Sequence, residues 1–304
     1  MRKYLLSCLF LCLAVMSYTQ DTPPVKYKSA VFSETVVQKN ISYSDPGIKE
    51  KGYLFDLYEP KSDTTMKRPV IIWLHGGGFA FGSKNAGGIE LWSETFARRG
   101  YVCVALNYPL SKKNALFNFT ELKRGCYEAV HSVKEAIAFF KKNYELYRID
   151  TNHIILGGNS AGGMIALQSV YSSQSELAAL AQLPGSAILP VTHNPEHVAA
   201  VINFWGGLFK LEWLQNARVP IFSAYGNRDR VVPPGHKDTS LYGSFAIHEK
   251  ATTLHIPNAV KIYDGYSHEL QKHFNPLFAP GAATKKRWQD AGQAAADFLY
   301  AQLF

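Results

Sequence analysis

The chain has 304 residues, 47% of them apolar and 18% charged, with a formal net charge of +8 to which Arg2 and Lys3 contribute two. This composition can build a sizeable core and excludes a disordered chain. The basic excess could attract acidic partners or surfaces, but no basic stripe interleaved with aromatics points to nucleic acid.

Residues 1–19 read as a secretory signal peptide: Arg2 and Lys3 precede the apolar run from Leu5 to Val15, and a cut is expected before Gln20. The run is too short for a comfortable membrane span, and no later stretch of about 18 apolar residues follows. The expectation is a secreted or periplasmic protein without stable membrane insertion. Lipidation at Cys8 or Cys12 fits less well, since Cys8 has little apolar sequence before it and Cys12 sits mid-run. No repeat or Gly/Ser linker divides residues 20–304, which are read as one domain.

Val31 to Ser44 and Tyr53 to Tyr58 are expected as edge strands joined by the turn Asp45-Pro46-Gly47. Pro69 to Leu74 reads as a buried strand that ends in His75-Gly76-Gly77-Gly78-Phe79. Three glycines there are either a flexible turn or a loop whose main-chain N–H groups can approach a substrate oxygen unobstructed by Cβ atoms. Val102 to Leu106 is the next strand, carrying Cys103. From Thr120, a plausible N-cap, Leu122, Cys126, Val130, Val133, Ile137 and Phe140 recur at helical spacing, and Lys141 and Lys142 suit the helix C-terminus. Cys103 and Cys126 are expected to be buried, with their pairing left open.

Ile154-Ile155-Leu156 runs into Gly157-Gly158-Asn159-Ser160-Ala161-Gly162 and then into the helix-like Met164 to Leu167. A serine flanked by glycines between a strand and a helix sits on a sharp turn with its hydroxyl exposed, and the Ala161 amide follows it at the helix start. Such a serine needs a base, and the base needs an acid to hold its tautomer. Strand candidates begin at Val198 and Val219. The second leads to Asp229, the best acid, and the strand Ala259 to Tyr263 leads to His268, the best base. Asp264 is a weaker acid candidate because it shares a strand and loop with His268. Seven further histidines, His153, His193, His197, His236, His248, His255 and His273, lack metal-ligand spacing. Phe79, Phe81, Trp205, Leu208 and Phe209 lie just beyond strand ends, where they either line an acyl or alcohol pocket or pack the core.

These motifs in the order Ser160, Asp229, His268 resemble the α/β-hydrolase family, in particular carboxylesterase and lipase-like members with a His-Gly-Gly-Gly loop, over roughly Val36 to the C-terminus. The resemblance implies an α/β fold with a mainly parallel central sheet and helices on both faces. It implies Ser160 as nucleophile, His268 as general base, Asp229 as orienting acid, and Gly77, Gly78 and Ala161 as donors of the oxyanion amides. His75 would brace the loop without reacting. The implied activity is hydrolysis of small-molecule or polysaccharide-linked esters without a cofactor, with the chain looking closer to bacterial secreted, feruloyl-esterase-like enzymes. Asn159 and Tyr108-Pro109-Leu110 depart from the hormone-sensitive-lipase branch. A peptidase or amidase using the same triad, and a non-catalytic binding protein of the same fold, are the competing readings.

Overall fold

The computed structural model describes residues 24–44, 50–113, 115–185, 191–236, 241–276 and 279–304. The expected signal segment and the turn at 45–47 lie outside them.

Ten strands form among the described residues: β1 (Thr35–Ser42), β2 (Leu54–Pro60), β3 (Arg68–Leu74), β4 (Val102–Leu106), β5 (Ile149–Asn159), β6 (Val198–Phe204), β7 (Gly207–Leu208), β8 (Ile221–Gly226), β9 (Tyr242–Gly243) and β10 (Asn258–Tyr263). Eight make one sheet in the order β1-β2-β4-β3-β5-β6-β8-β10, while β7 and β9 pair separately. The pairings β1 with β2 and β2 with β4 are antiparallel, and all the others in the large sheet are parallel. Six α-helices accompany them among the described residues: α1 (Gly87–Ala97), α2 (Phe119–Lys142), α3 (Ala161–Tyr171), α4 (Gln174–Leu180), α5 (Ser244–Thr253) and α6 (Ala282–Leu303).

The unbroken apolar run of β3 has a simple cause. Every residue of this strand is buried, and its side chains alternate between two cores. Val70, Ile72 and Leu74 join the cluster under α2 and α3, whereas Ile71 and Trp73 join an aromatic cluster under α1 and α6. On that second face Trp73, Trp92, Phe204, Trp205 and Trp288 form a chain of ring contacts. The expected fold class is therefore the one observed, with helices covering both sheet faces.

Several boundaries move for identifiable reasons. The first strand begins at Thr35 and not at Val31, because the amides of Val31 and Phe32 donate to the Arg98 carbonyl at the end of α1. The cap of α2 is Asn118 and not Thr120: its side-chain oxygen accepts from the amides of Thr120 (3.1 Å) and Glu121 (3.2 Å). Cys103 and Cys126 are both free and buried. They belong to opposite faces of the sheet, so no disulfide joins them.

Candidate active site

The parallel strands β5, β8 and β10 deliver their C-terminal ends to one edge of the sheet, where Ser160, Asp229 and His268 meet. Ser160 follows the last residue of β5 and has φ 54° and ψ −118°, a backbone state that costs an L-residue about 1–3 kcal/mol. The neighbourhood enforces it. The Ser160 amide donates to the Phe204 carbonyl at 2.9 Å, and its own carbonyl accepts the first bond of α3, from Met164 N–H, at 3.0 Å. A Cβ on Gly158 would lie 2.5 Å from the carbonyl carbon of Gly162 and 2.6 Å from the Leu74 oxygen, so only glycine lets the turn close against β3.

The Asp229 carboxylate is fully buried. One oxygen accepts the amides of Val231 (2.8 Å) and Val232 (3.0 Å), and the other accepts His268 Nδ1–H at 2.7 Å. Because an ionised carboxylate can only accept, this bond leaves Nε2 of a neutral imidazole as an acceptor. Ser160 Oγ lies 2.8 Å from Nε2, placed to donate its proton. Asp264 is elsewhere: its exposed carboxylate accepts from Asn227 Nδ2 at 2.6 Å.

His268 sits on a tightly wound loop. Glu269 and Leu270 both have positive φ (54° and 57°), and the loop is tied to α6. Trp288 Nε1–H donates to the Glu269 carbonyl and Arg287 Nε–H to the Leu270 carbonyl, each at 2.7 Å. Burial pushes the Glu269 carboxyl above the usual carboxylate range, although neighbouring His268 offsets part of the effect.

The glycine loop passes directly against the serine turn, since a Cβ on Gly76 would stand 3.3 Å from Ser160 Cβ. Gly77 and Gly78 have φ of 116° and 58°, and the Gly77 carbonyl is held by the amides of Ala80 (3.1 Å) and Phe81 (3.2 Å). Ala161 is the first residue of α3, where amides have no intrahelical acceptor. His75 is buried beneath the loop. Its Nδ1–H donates to the Gly76 carbonyl at 2.7 Å, and its ring stacks on Tyr108 at 4.2 Å. The Tyr108 hydroxyl returns a bond to the His75 carbonyl, also at 2.7 Å. Burial lowers the His75 pKa to about 4, which keeps the ring neutral. Two contacts were not anticipated from sequence: Tyr108, singled out there only as part of the Tyr108-Pro109-Leu110 segment, buttresses His75, and the Leu116 side chain occupies the space a Cβ on Gly78 would need.

The pocket residues expected from sequence require correction. Phe79, Trp205 and Leu208 are at most 1% exposed, and Phe209 is also buried. Phe79 and Leu208 pack in the core under α2 and α3, and Trp205 packs in the aromatic cluster on the opposite face. Positive φ at Phe79 (62°) and Trp205 (42°) marks the sharp turns in which these side chains enter the core. Phe81 alone of the group is exposed. Among the described residues, no group of three or more His, Cys, Asp or Glu is arranged to hold a metal ion, and no helix is long and apolar enough to cross a membrane. His153 and His193 are instead paired with Asp150 and Glu176.

The sheet order, the covering helices and a serine turn closing on β3 define the α/β-hydrolase fold. Solved esterases share it: esterase 2 of Thermogutta terrifontis, phosphorylated by paraoxon, superposes with a TM-score of 0.58 at 19% identity, covering 87% of this chain and 93% of that one. The BD-FAE family profile matches residues 55–218, more than half of the chain, and the chain belongs to this family. It is 27% identical over 155 residues to arylacetamide deacetylase of Bos taurus and 28% identical over 148 residues to the probable carboxylic ester hydrolase LipM of Mycobacterium tuberculosis. These matches cover 51% and 49% of this chain but only 34% and 31% of those proteins.

Proposed function

We propose that the chain is a serine carboxylic-ester hydrolase working through an acyl-enzyme. The observation that carries this reading is the unbroken relay from Ser160 Oγ through both nitrogens of His268 to the buried Asp229 carboxylate. Esterase relatives and esterase structural neighbours support the same class.

Ser160 Oγ attacks the ester carbonyl as its proton passes to His268 Nε2, and Asp229 stabilises the imidazolium that forms. The developing oxyanion is received by main-chain amides of the glycine loop, Gly77 and Gly78, and by that of Ala161. Collapse of the tetrahedral intermediate breaks the bond to the alcohol oxygen, which takes the proton from His268. Water, deprotonated by the same histidine, then attacks the acyl-enzyme, releasing the acid and restoring Ser160. Every step is completed by groups of this chain and water.

The substrates proposed are short-chain or polysaccharide-linked esters, met outside the cytoplasm after export directed by residues 1–19. The test combines a fluorophosphonate probe with ester and amide substrates of matched acyl groups. The wild-type protein should be labelled at Ser160 and should hydrolyse p-nitrophenyl acetate and butyrate far faster than the corresponding anilides. A folded Ser160→Ala variant should be neither labelled nor active; near-wild-type turnover by that variant would overturn the assignment. A panel extending to feruloyl esters would then fix the acyl preference.

A further inference from the structure

Beside the His268 loop lies an open cavity of about 890 Å³, walled by residues 264–267 and 272–274 that flank His268 and by residues 228, 230 and 231 that flank Asp229. Its lining includes Arg228, Arg230, Lys272 and His273, opposed by one carboxylate, Asp264. That carboxylate is already engaged by Asn227. Arg228, Arg230 and Lys272 are exposed, and no ion pair is found for them among the described residues. The wall is braced. Arg228 N–H donates to the Tyr266 carbonyl at 2.9 Å, joining the two loops, and the Arg287 guanidinium lies 4.1 Å from the centre of the Tyr266 ring. Phe274, also in the lining, meets the His268 ring edge-on with centroids 4.9 Å apart.

The position of this cavity decides which half of an ester could use it. In the mechanism above, His268 hands its proton to the departing alcohol oxygen, so the alcohol passes on the histidine side of the site. The cavity is built from that same loop. Three permanent cations around a space large enough for a sugar-sized group, with one engaged carboxylate against them, will concentrate and orient an anion.

We infer that this basic cavity is a subsite for the alcohol portion of the substrate and selects alcohols bearing a carboxylate or sulfate, the chemistry of an acidic saccharide. The inference rests on the ester-hydrolase reading and gives it a substrate class. Arg228 and Arg230 supply planar forks suited to a carboxylate, while Lys272 adds a point charge.

The test compares kcat/KM for 4-acetoxybenzoate with that for its neutral methyl ester, in wild type and in an Arg228→Gln/Arg230→Gln/Lys272→Gln variant. A 4-acetoxybenzenesulfonate arm distinguishes carboxylate from sulfate-like anions. The anionic-to-neutral ratio should fall about tenfold in the variant, as expected for the loss of several exposed charge contacts, and it should also fall in wild type when salt is raised. Lys272→Gln alone should move the ratio in the same direction, and hydrolysis of the neutral ester reports that each variant is folded. A ratio unmoved by the substitutions, with the neutral ester still hydrolysed, would overturn the subsite. An equal change for esters carrying the anion on the acyl half, phenyl hydrogen succinate against phenyl methyl succinate, would overturn its placement on the alcohol side. Hydrolysis of none of these esters by wild type would instead remove the ester-hydrolase reading, and the subsite with it.

Discussion

Gly162 and Leu74 pack so closely that a Cβ on the glycine would collide with the leucine's carbonyl oxygen. This contact brings the start of α3 down onto the end of β3 and so sets the serine turn against the glycine loop. Gly162→Ala is expected to destabilise the protein by more than about 4 kcal/mol, because backbone and not a flexible side chain must give way. Gly87 is the control: nothing lies within 4 Å of the Cβ it lacks, and alanine there should be neutral or stabilising by about 0.4–1 kcal/mol. Urea midpoints of the two variants make the comparison.

Strain at Ser160 leads to a second expectation. With φ 54° and ψ −118° imposed on an L-residue, Ser160→Gly should abolish hydrolysis yet raise the melting temperature by about 1–2 °C, the equivalent of roughly 1 kcal/mol in a chain of this size. Ser160→Ala, which keeps the Cβ, should lose activity without that gain. Scanning calorimetry of both variants measures the difference.

The buried, neutral His75 makes stability depend on pH. In the unfolded chain the imidazole takes up a proton near its ordinary value of 6.5, while in the folded chain it does so only near 4. Between these values the unfolded state binds more protons, so stability falls as pH drops from 6.5 and levels off below about 4. His75→Asn preserves an amide donor for the Gly76 carbonyl and removes the titration. Between pH 7.5 and pH 5 the wild type should lose on the order of 2 kcal/mol more than the variant. Equal losses in urea titrations at the two pH values would count against the neutral, buried ring.

Lys84, just past the glycine loop, forms a buried ion pair with Asp56 at 2.7 Å, with side-chain exposures of 4% and 0%. The same carboxylate oxygen accepts Asn40 N–H at 2.7 Å. Lys84→Met should therefore cost about 3–5 kcal/mol by stranding a buried charge, and adding Asp56→Asn should recover part of that loss. A double-mutant cycle in chemical denaturation tests both statements.

Much of this arrangement was legible in the sequence because parallel strands are buried on both faces and so announce themselves as apolar runs. Ser160 and Asp229 each follow such a run, His268 follows the half-buried outermost strand β10, and a parallel sheet sends those three ends to a single edge. The pocket was not legible. Sequence distance from a strand end does not reveal that positive φ at Phe79 and Trp205 turns the rings inward, nor that Leu116 folds back over Gly78. Partners supplied by remote elements were equally hidden. Tyr108 acts on His75 through ring stacking, and Arg287 and Trp288 reach the histidine loop from the last helix, contacts that no local pattern encodes. The cap of α2 moved by two residues because asparagine and threonine both suit the role, and only the geometry selects Asn118.

The two bonds from α6 to the loop of His268 give the molecule a weak joint. His268 hangs beside β10, the outermost strand of the sheet, and its loop is moored by Arg287 and Trp288 of α6, whereas Ser160 is anchored in the middle of the sheet. Local detachment of the start of α6 would set the imidazole adrift while the interior strands stayed paired. Ester hydrolysis is accordingly expected to be lost on heating some degrees before the circular dichroism changes, and a variant that tightens the start of α6 onto the His268 loop should narrow that gap.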